Sequence, residues 1–336
     1  MTERIEDLVR WINDKYGNVS SITPIAGDVS VRDFYRMEHG GRSFVVMDSS
    51  HIPLWPWLDI YHLLKKMDFP VPEVILSDES SGYVIQEDLG STRLCDVTED
   101  EDYRSYLTES LALLRRLQRE ITPEIASRSI AGRRYFAPSF FMAELEHTLE
   151  HLFFRLLRVP IEELFELQNH FRKLSEKAMG SGITAFTHRD FHSANLMIYK
   201  GKVHIIDWQD ARQGPPCYDL ASLLRDSYKD CGDGWKGLAS SFVLGMGGAN
   251  MFEFVFSAMQ RNMKAIGTFA YQYRAFGNDK YLKYIPQTLL YLEGYSKVCP
   301  AVKPTVDTVI GLIETHTGEI DLRNYKDPDS PVKITQ

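Results

Sequence analysis

Two different spacings of apolar residues divide the chain into a β-rich first part and a helical remainder. Apolar residues recur at helical spacing over residues 4–16, which predicts a helix. Apolar and polar residues then alternate at 31–37 and 43–47, which predicts two strands joined by a turn. A helical pattern at 57–67 and a second hairpin spanning 74–85 follow. The first part of the chain is therefore predicted to form a small antiparallel sheet with one inserted helix.

After Gly90 the pattern is mostly helical, with one short β region at 184–207. Further helices are predicted at about 139–158, 162–178, 218–229, 251–275, 280–295 and 305–316. A run of strands followed by a run of helices is typical of an α+β fold. We expect a small β-rich lobe over residues 1–90 and a large, mainly helical lobe over 91–336.

Composition agrees with a folded protein and restricts its partners. The 336 residues are 44% hydrophobic and 25% charged, and the formal net charge is −8. Residues 1–90 hold 8 Lys and Arg against 15 Asp and Glu, so most of the excess acid lies there. Proteins that bind nucleic acid broadly carry a basic surplus, so we expect no nucleic-acid partner. A nucleotide remains compatible, because its site needs only a few local charges and a metal ion.

The cysteines and the lengths of the apolar segments indicate the cellular compartment in which we expect the protein. None of the four cysteines forms a C-x-x-C pair, which favours reduced thiols in a cytoplasmic protein. The first residues are acidic and lack an apolar core, so we expect no secretory signal. No window approaches about 18 consecutive apolar residues, so we expect no membrane span. We also expect a monomer.

One predicted hairpin carries the candidate chemistry. Residues 196–199 and 203–206 are strand-like and flank Lys200-Gly201, a dipeptide suited to a tight turn. In that register Asn195 lies opposite the last residue of the returning strand, and Asp207 follows directly. Their oxygens would lie side by side, as Mg²⁺ bound to substrate phosphates requires. Asp190, five residues before Asn195, is placed to orient and deprotonate an attacking hydroxyl.

The spacing H-x-D-x-x-x-x-N, followed by a hydrophobic hairpin and Asp, is the signature of kinase-type phosphoryl transfer. With its neighbouring segments, the chain resembles the aminoglycoside phosphotransferase/choline kinase superfamily, which has the protein-kinase-like fold. Within that superfamily it most resembles bacterial kinases that phosphorylate N-acetylmuramate and N-acetylglucosamine at the anomeric hydroxyl. The segments that carry the resemblance are 27–36, 88–92, 188–195, 206–211, 214–228 and 259–274.

The resemblance implies roles for individual residues and implies ATP and Mg²⁺ as cofactors. Asp190 resembles the catalytic base, and Asn195 and Asp207 resemble the metal ligands. His188 resembles a residue that supports the catalytic loop from inside. Asp219 resembles a buried carboxylate that accepts hydrogen bonds from that loop, and an N-cap for a helix starting near residue 220 is equally compatible.

The nucleotide site departs from the family pattern in two places. The first β-turn, residues 27–32, lacks the G-x-G-x-x-G phosphate loop, although Ser30 could still supply a backbone amide. The third strand, residues 44–48, lacks the expected lysine. We hypothesise that Arg32 or Arg36 pairs with the phosphates instead, with surface arginines as the alternative. Where the family has its hinge, backbone groups facing adenine are expected from Gln86, Glu87 and Asp88.

The acceptor site is less defined by sequence. Gln209 and Asp210 follow the predicted metal ligand and could hydrogen-bond a sugar. Glu150, Arg261 and Lys264 lie on predicted helices of the kind that wall the acceptor pocket in the family. Arg261 is the candidate for a bidentate contact with a muramate carboxylate. A solvated helix face is the alternative interpretation of these charged residues.

The sequence thus predicts an ATP-dependent small-molecule kinase acting on the anomeric hydroxyl of an amino-sugar. Aminoglycosides, choline and homoserine are alternative acceptors. A catalytically silent, nucleotide-binding relative is the alternative of a different class, because the lysine and the glycine loop are missing. Protein phosphorylation is disfavoured, since no insert resembling an activation loop follows Asp207.

Overall fold

A computed structural model of the protein describes residues 2–19, 21–25, 31–180, 182–245, 250–316 and 320–325. The chain divides into two compact units. Unit one comprises Met1–Ala112, Arg128–Ile130 and Ala194–Asp210. Unit two comprises Leu113–Ser127, Ala131–Ser193 and Ala211–Gln336. The predicted lobe boundary at residue 90 stays a prediction.

Unit one is built on a five-stranded antiparallel sheet with the order β1-β2-β3-β5-β4. Its strands are β1 (Ser21–Pro24), β2 (Asp33–His39), β3 (Arg42–Asp48), β4 (Val74–Asp78) and β5 (Tyr83–Glu87). The helices nearest in sequence are α1 (Thr2–Lys15) and α2 (Trp55–Lys66), followed by α3 (Asp100–Glu120). The predicted hairpins and helices of this part are confirmed, and β1 is a strand that the apolar pattern did not resolve.

The core of unit one lies where α1 covers one face of the sheet. Leu8 and Ile12 of α1 are fully buried against Met37 and Val46 of the neighbouring strands. Alternation along β2 and β3 sends these side chains to the same face. Burying each such side chain contributes about 1.5–3 kcal/mol. The amphipathic N-terminal helix is therefore part of the core.

A two-stranded hairpin, β7 (Leu196–Tyr199) and β8 (Lys202–Ile205), also belongs to unit one. Leu196 pairs with Ile205, as the predicted register requires. Lys200 and Gly201 both have positive φ, 50° and 72°, which is typical of a type I′ turn. The backbone of Ile205 donates to the Pro70 carbonyl at 2.8 Å, which ties the hairpin to unit one.

Over its described residues, unit two is mostly helical and contains one small sheet, in which β6 (Ala185–Thr187) pairs with β9 (Arg212–Gly214). Its helices are α4 (Pro123–Ala126), α5 (Pro138–Thr148), α6 (Ile161–Met179), α7 (Cys217–Leu224), α8 (Trp235–Leu244), α9 (Met251–Phe276), α10 (Ile285–Val298) and α11 (Lys303–Thr315). A π-helix, Leu149–Leu156, continues α5. Short 3₁₀ turns occur in both units, at Leu94–Asp96, Ile130–Gly132, Ser193–Asn195, Leu282–Tyr284 and Pro300–Val302. The predicted α+β class is confirmed.

Helix α9 is the centre of unit two, and α5, α7 and α10 pack against it. Its first turn is capped by the Asn250 side chain, which accepts from the Glu253 amide at 3.1 Å. Gly267 lies where α5 approaches most closely. A Cβ placed there would meet the Thr148 side-chain oxygen at 2.5 Å and the Thr148 Cα at 2.7 Å. Glycine is therefore required for this helix pair to close.

Two helix boundaries differ from the sequence-based expectation. The helix expected over 218–229 ends at Leu224, because the Asp226 side chain binds backbone amides that are not in the helix. The helix expected from residue 280 begins at Ile285, with Pro286 in its first turn. Among the described residues, no helix is long and apolar enough to cross a membrane.

Candidate active site

The loop that follows β6 carries the predicted catalytic residues and is held by two buried carboxylates of unit two. Asp219 accepts hydrogen bonds from the backbone amides of His188 and Arg189, at 2.6 and 3.0 Å. Asp226 accepts from the amide and the hydroxyl of Ser193, at 2.8 and 2.5 Å. The loop is thus fixed at both ends around Asp190.

Asp219 lies in the first turn of α7, which begins at Cys217, and Pro216 occupies the N-cap position. The alternative assignment of Asp219 as an N-cap is therefore wrong, while its hydrogen bonds to the loop are present. Burial raises the pKa of Asp219 to about 7, although both backbone hydrogen bonds favour the ionised form. His188 is 1% exposed, and its ring packs edge-on against Phe191 with a centroid distance of 5.9 Å.

Asp190 lies between two cations that α9 supplies from one face. Its Oδ1 is 3.1 Å from Nη1 of Arg261 and 3.4 Å from Nζ of Lys264. Positions 261 and 264 are three apart, so both side chains project from the same side of the helix. Burial opposes ionisation of Asp190, but Lys264 and Arg261 outweigh it and hold the pKa of the carboxyl well below its usual range.

The sequence reasoning missed Glu144, which joins the same cluster from α5. Its carboxylate accepts from Arg189 at 2.9 Å and from Gln260 at 2.5 Å, and it lies 3.4 Å from Lys264. Tyr218 was also missed, and its hydroxyl is 3.4 Å from Arg261. Spacing along α5 gives no signal for Glu144, because its partners are 45 and more residues away. Only the packing of α5 on α9 brings them together.

The predicted metal ligands lie side by side at the end of the hairpin in unit one. The amide of Ile206 donates to the carbonyl of Asn195 at 3.1 Å, and Asn195 Nδ2 is 3.3 Å from Asp207 Oδ2. Gln209 Nε2 donates to the other carboxylate oxygen, Oδ1, at 2.7 Å. Asp207 has φ 66°, an uncommon conformation for a residue with a side chain, and such residues cluster at functional sites.

The Asn195 and Asp207 side chains are in contact, and an amide oxygen and a carboxylate are the hard ligands that Mg²⁺ takes from proteins, so these residues fit the ion. Within the described ranges, no group of three or more His, Cys, Asp or Glu side chains is placed to hold a metal ion by itself. Asn195 and Asp207 are therefore the residues of unit one that suit a magnesium ion shared with phosphate oxygens.

The two candidate phosphate-binding arginines have different surroundings. Arg36 forms a bidentate pair with Asp88, at 2.7 and 3.2 Å, and Asp88 also accepts from Ser43 at 2.5 Å. Arg32 is 8% exposed and lies within electrostatic reach of Asp207 and Asp210. Burial lowers the pKa of Arg32, and the two carboxylates oppose that change. Arg32 is thus within electrostatic reach of the predicted metal ligand Asp207, and Arg36 is bound by Asp88.

The remaining nucleotide candidates lie at or near the end of β5. Gln86 is buried and pairs with Val45 of β3. The backbone amide of Glu87 donates to the Glu73 carbonyl at 2.8 Å, so that donor is engaged within the sheet. Ser30 lies outside the described residues. The adenine-binding roles of the three residues Gln86 to Asp88 stay predictions.

The acceptor candidates are divided between the units. Glu150 lies on the π-helix and pairs with Arg155 at 2.5 Å. Arg261 is engaged by Asp190 and by the Arg189 carbonyl, so its Nη1 already has protein acceptors. Gln209 and Asp210 belong to unit one. The structure thus brings Arg261 and Lys264 together, and the contact of any of these residues with an acceptor stays a prediction.

Comparison with solved structures identifies the class to which this fold belongs. A choline kinase from Streptococcus pneumoniae has a TM-score of 0.63 at 15% identity, with 88% of this chain and 99% of that chain covered. An ADP-bound aminoglycoside phosphotransferase, APH(2'')-Ib, has a TM-score of 0.56 at 17% identity, with 91% and 97% covered. These likenesses confirm the predicted kinase-like fold.

Sequence comparison gives the family. Residues 21–239 match the model of the phosphotransferase enzyme family, and the chain belongs to this family. The N-acetylmuramate/N-acetylglucosamine kinase of Neisseria meningitidis serogroup B is 27% identical, over 93% of this chain and 97% of that protein. The kinase of the same name from Pseudomonas putida is 24% identical, with 87% and 88% covered. The protein is accordingly a phosphotransferase enzyme, as predicted.

Proposed function

We propose that the protein is an ATP-dependent kinase that phosphorylates the anomeric hydroxyl of an amino-sugar, N-acetylmuramate or N-acetylglucosamine. The names of the relatives, which match over most of their length, support this class of acceptor. The four free thiols are in keeping with a cytoplasmic location.

In this reaction Asp190 orients the acceptor hydroxyl. The hydroxyl oxygen forms a bond to the γ-phosphorus, the bond from that phosphorus to the β–γ bridging oxygen breaks, and ADP leaves. The hydroxyl proton passes to the Asp190 carboxylate. Phosphoryl transfer has a loose transition state, so positioning and charge stabilisation supply most of the catalysis.

Asn195 and Asp207 would hold Mg²⁺, which when bound neutralises charge on the β- and γ-phosphates. Gln209 positions the Asp207 carboxylate through the hydrogen bond to Oδ1. Arg32 takes the phosphate-pairing role of the lysine that β3 lacks. Its burial beside Asp207 and Asp210 supports this choice over Arg36, whose guanidinium is bound by Asp88.

The observation that carries the choice of acceptor is the pair of cations on Asp190. A carboxylate of low pKa is a weak base and suits a hydroxyl that ionises easily. The anomeric hydroxyl of a sugar is more acidic than an ordinary alcohol, because the ring oxygen withdraws electron density.

A panel of acceptors tests the proposal. The protein is incubated with ATP, Mg²⁺ and either N-acetylmuramate, N-acetylglucosamine, an aminoglycoside or choline, and ADP release and ³¹P spectra are followed. We expect turnover of the amino-sugars, with a ³¹P signal of a sugar 1-phosphate. The methyl glycoside of N-acetylglucosamine, which is blocked at the anomeric oxygen, should remain unphosphorylated.

Variants of two carboxylates complete this test. D190N should lower kcat about 10²- to 10⁴-fold, and D233N, at an exposed position of unit two, should leave it unchanged. Equal turnover of the methyl glycoside would refute transfer to the anomeric oxygen. Absence of turnover on every acceptor, with nucleotide still bound, would favour the catalytically silent alternative.

A further inference from the structure

Glu144 on α5 is a nearly buried carboxylate that contacts residues around Asp190 and is distinct from the two carboxylates that anchor the loop. Its side chain is 10% exposed. It accepts from Arg189 Nη2 and Gln260 Nε2 and lies 3.4 Å from Lys264 Nζ. A carboxylate removed from water this far is stable only with such donors and cations around it. Its partners therefore explain how the charge is kept at this position.

Lys264 lies midway between two carboxylates. Its Nζ is 3.4 Å from Glu144 Oε1 and 3.4 Å from Asp190 Oδ1. The ammonium group of lysine is a point charge on a flexible stem, so a single acceptor would not fix its position. With Glu144 on one side, Lys264 is held at a distance from Asp190 at which it stabilises the charge without forming a short hydrogen bond.

Arg189 directly precedes Asp190, and its backbone has φ 81°. This conformation is unfavourable for a residue with a Cβ and persists only where the surroundings hold it. Asp219 binds its amide at 3.0 Å, and Glu144 binds its guanidinium at 2.9 Å. The guanidinium also lies over the Phe140 ring at 5.2 Å. The backbone amide and the guanidinium of Arg189 are thus both held, and Arg189 sets the direction in which the chain enters Asp190.

We propose that Glu144 is a positioning residue for phosphoryl transfer, holding Arg189 and Lys264 so that the Asp190 carboxylate keeps its orientation. The proposal rests on the proposed function of Asp190, because Glu144 acts through that residue and does not touch the acceptor. It gives a role to the close packing of α5 against α9 at Gly267 and Thr148, which brings Glu144 to Lys264. The charge of Glu144, and not its volume alone, is what this role requires.

The variant E144Q removes the charge and keeps the shape. We expect kcat to fall about 10- to 100-fold, as for a misplacement of a catalytic group by about 1 Å, while the KM for ATP stays within about twofold. E146Q, on the exposed side of the same helix, is the matched control and should have wild-type kcat. If E144Q is poorly folded in a thermal melt, E144D, which keeps the charge, serves instead and should lose less activity than E144A.

A double-mutant cycle with K264M separates positioning from a purely structural role. If Glu144 acts through Lys264, E144Q should lower kcat clearly less in the K264M background, by about threefold or less. An equal fold-loss of kcat in the wild-type, K264M and R189M backgrounds alike, or a wild-type kcat for E144Q, would overturn the proposal. Activity is measured on the acceptor that the wild type turns over fastest, or on basal ATP hydrolysis if none is used. A wrong acceptor assignment is thereby distinguished from a wrong role for Glu144.

Discussion

A partly buried carboxylate paired with two cations is a weak base, and Asp190 has this environment. Arg261 and Lys264 keep it ionised at any pH near neutrality, so its readiness to accept a hydrogen bond does not vary with pH there. The same pairing makes the carboxylate a weak base. In the proposed reaction, this environment of Asp190 suits a hydroxyl that ionises easily.

At the residue scale, Arg32 and Arg36 give a direct comparison. R32A should raise the KM for ATP about 10- to 100-fold, because a charge-assisted contact to phosphate is worth about 1.5–3 kcal/mol. R36A should leave that KM unchanged and lower the free energy of unfolding, since it removes the pair with Asp88. Steady-state kinetics with varied ATP and urea unfolding of both variants measure the two effects. A raised KM in R36A together with an unchanged one in R32A would reverse the assignment.

At the scale of elements, the approach of α5 to α9 determines where Glu144 lies. The two helices come close at Gly267 and Thr148, and Thr148 donates to the Met263 carbonyl at 3.1 Å. Glu144 is one helical turn from Thr148, and Lys264 is three residues before Gly267, so the same contact sets both partners. The hairpin β7–β8 acts in the same way in unit one, because its register places Asn195 beside Asp207.

G267A tests the helix contact. The new methyl group would meet Thr148 well inside van der Waals distance, so we expect the helices to separate. The free energy of unfolding should fall by about 1–3 kcal/mol despite the better helix propensity of alanine, and kcat should fall with it.

G294A on α10 is the matched control, because a Cβ there meets nothing within 4 Å. It should raise the free energy of unfolding by up to about 1 kcal/mol and leave kcat unchanged. Urea unfolding and steady-state kinetics measure both variants. Stabilisation in G267A equal to that in G294A would contradict the close approach of α5 and α9.

At the scale of the whole molecule, two buried groups of the catalytic loop region oppose one another in the pH dependence of stability. Burial raises the pKa of Asp219 from 3.8 to about 7, so the folded protein binds this proton more tightly than the unfolded chain. Stability from this group therefore falls as the pH rises through that window. Burial lowers the pKa of His192 from 6.5 to about 3, so its contribution is lost as the pH falls.

The variant D219N removes the Asp219 contribution to the pH dependence of stability and leaves that of His192. The difference in the free energy of unfolding, D219N minus wild type, should rise with pH between about 4 and 7. The expected slope is up to about 1.4 kcal/mol per pH unit. H192N should show the opposite trend, its difference from wild type growing more favourable as the pH falls. Urea unfolding at pH 4.5, 5.5 and 6.5 measures both slopes. Parallel pH profiles for D219N and wild type would show that Asp219 keeps an ordinary pKa in the folded protein.

Local sequence patterns predict much of the fold and part of the candidate site. The hairpin register follows from a two-residue turn and a period of two, so the adjacency of Asn195 and Asp207 was predictable. The helix over 280–295 was placed five residues early, because apolar periodicity outweighed Pro286. The ion pairs of Arg36 and Glu144 could not be anticipated, because each joins positions separated by 45 or more residues.

The sequence by itself determined the α+β class, the phosphoryl-transfer signature and the register of the hairpin, because these depend on interactions between residues close in the chain. The tertiary structure alone decided which charged groups meet. It bound Arg36 to Asp88, left Arg32 within electrostatic reach of Asp207, and placed Arg261, Lys264 and Glu144 around the loop of Asp190. Charge interactions act over a few ångströms in space, and helix packing sets those distances independently of the spacing in sequence.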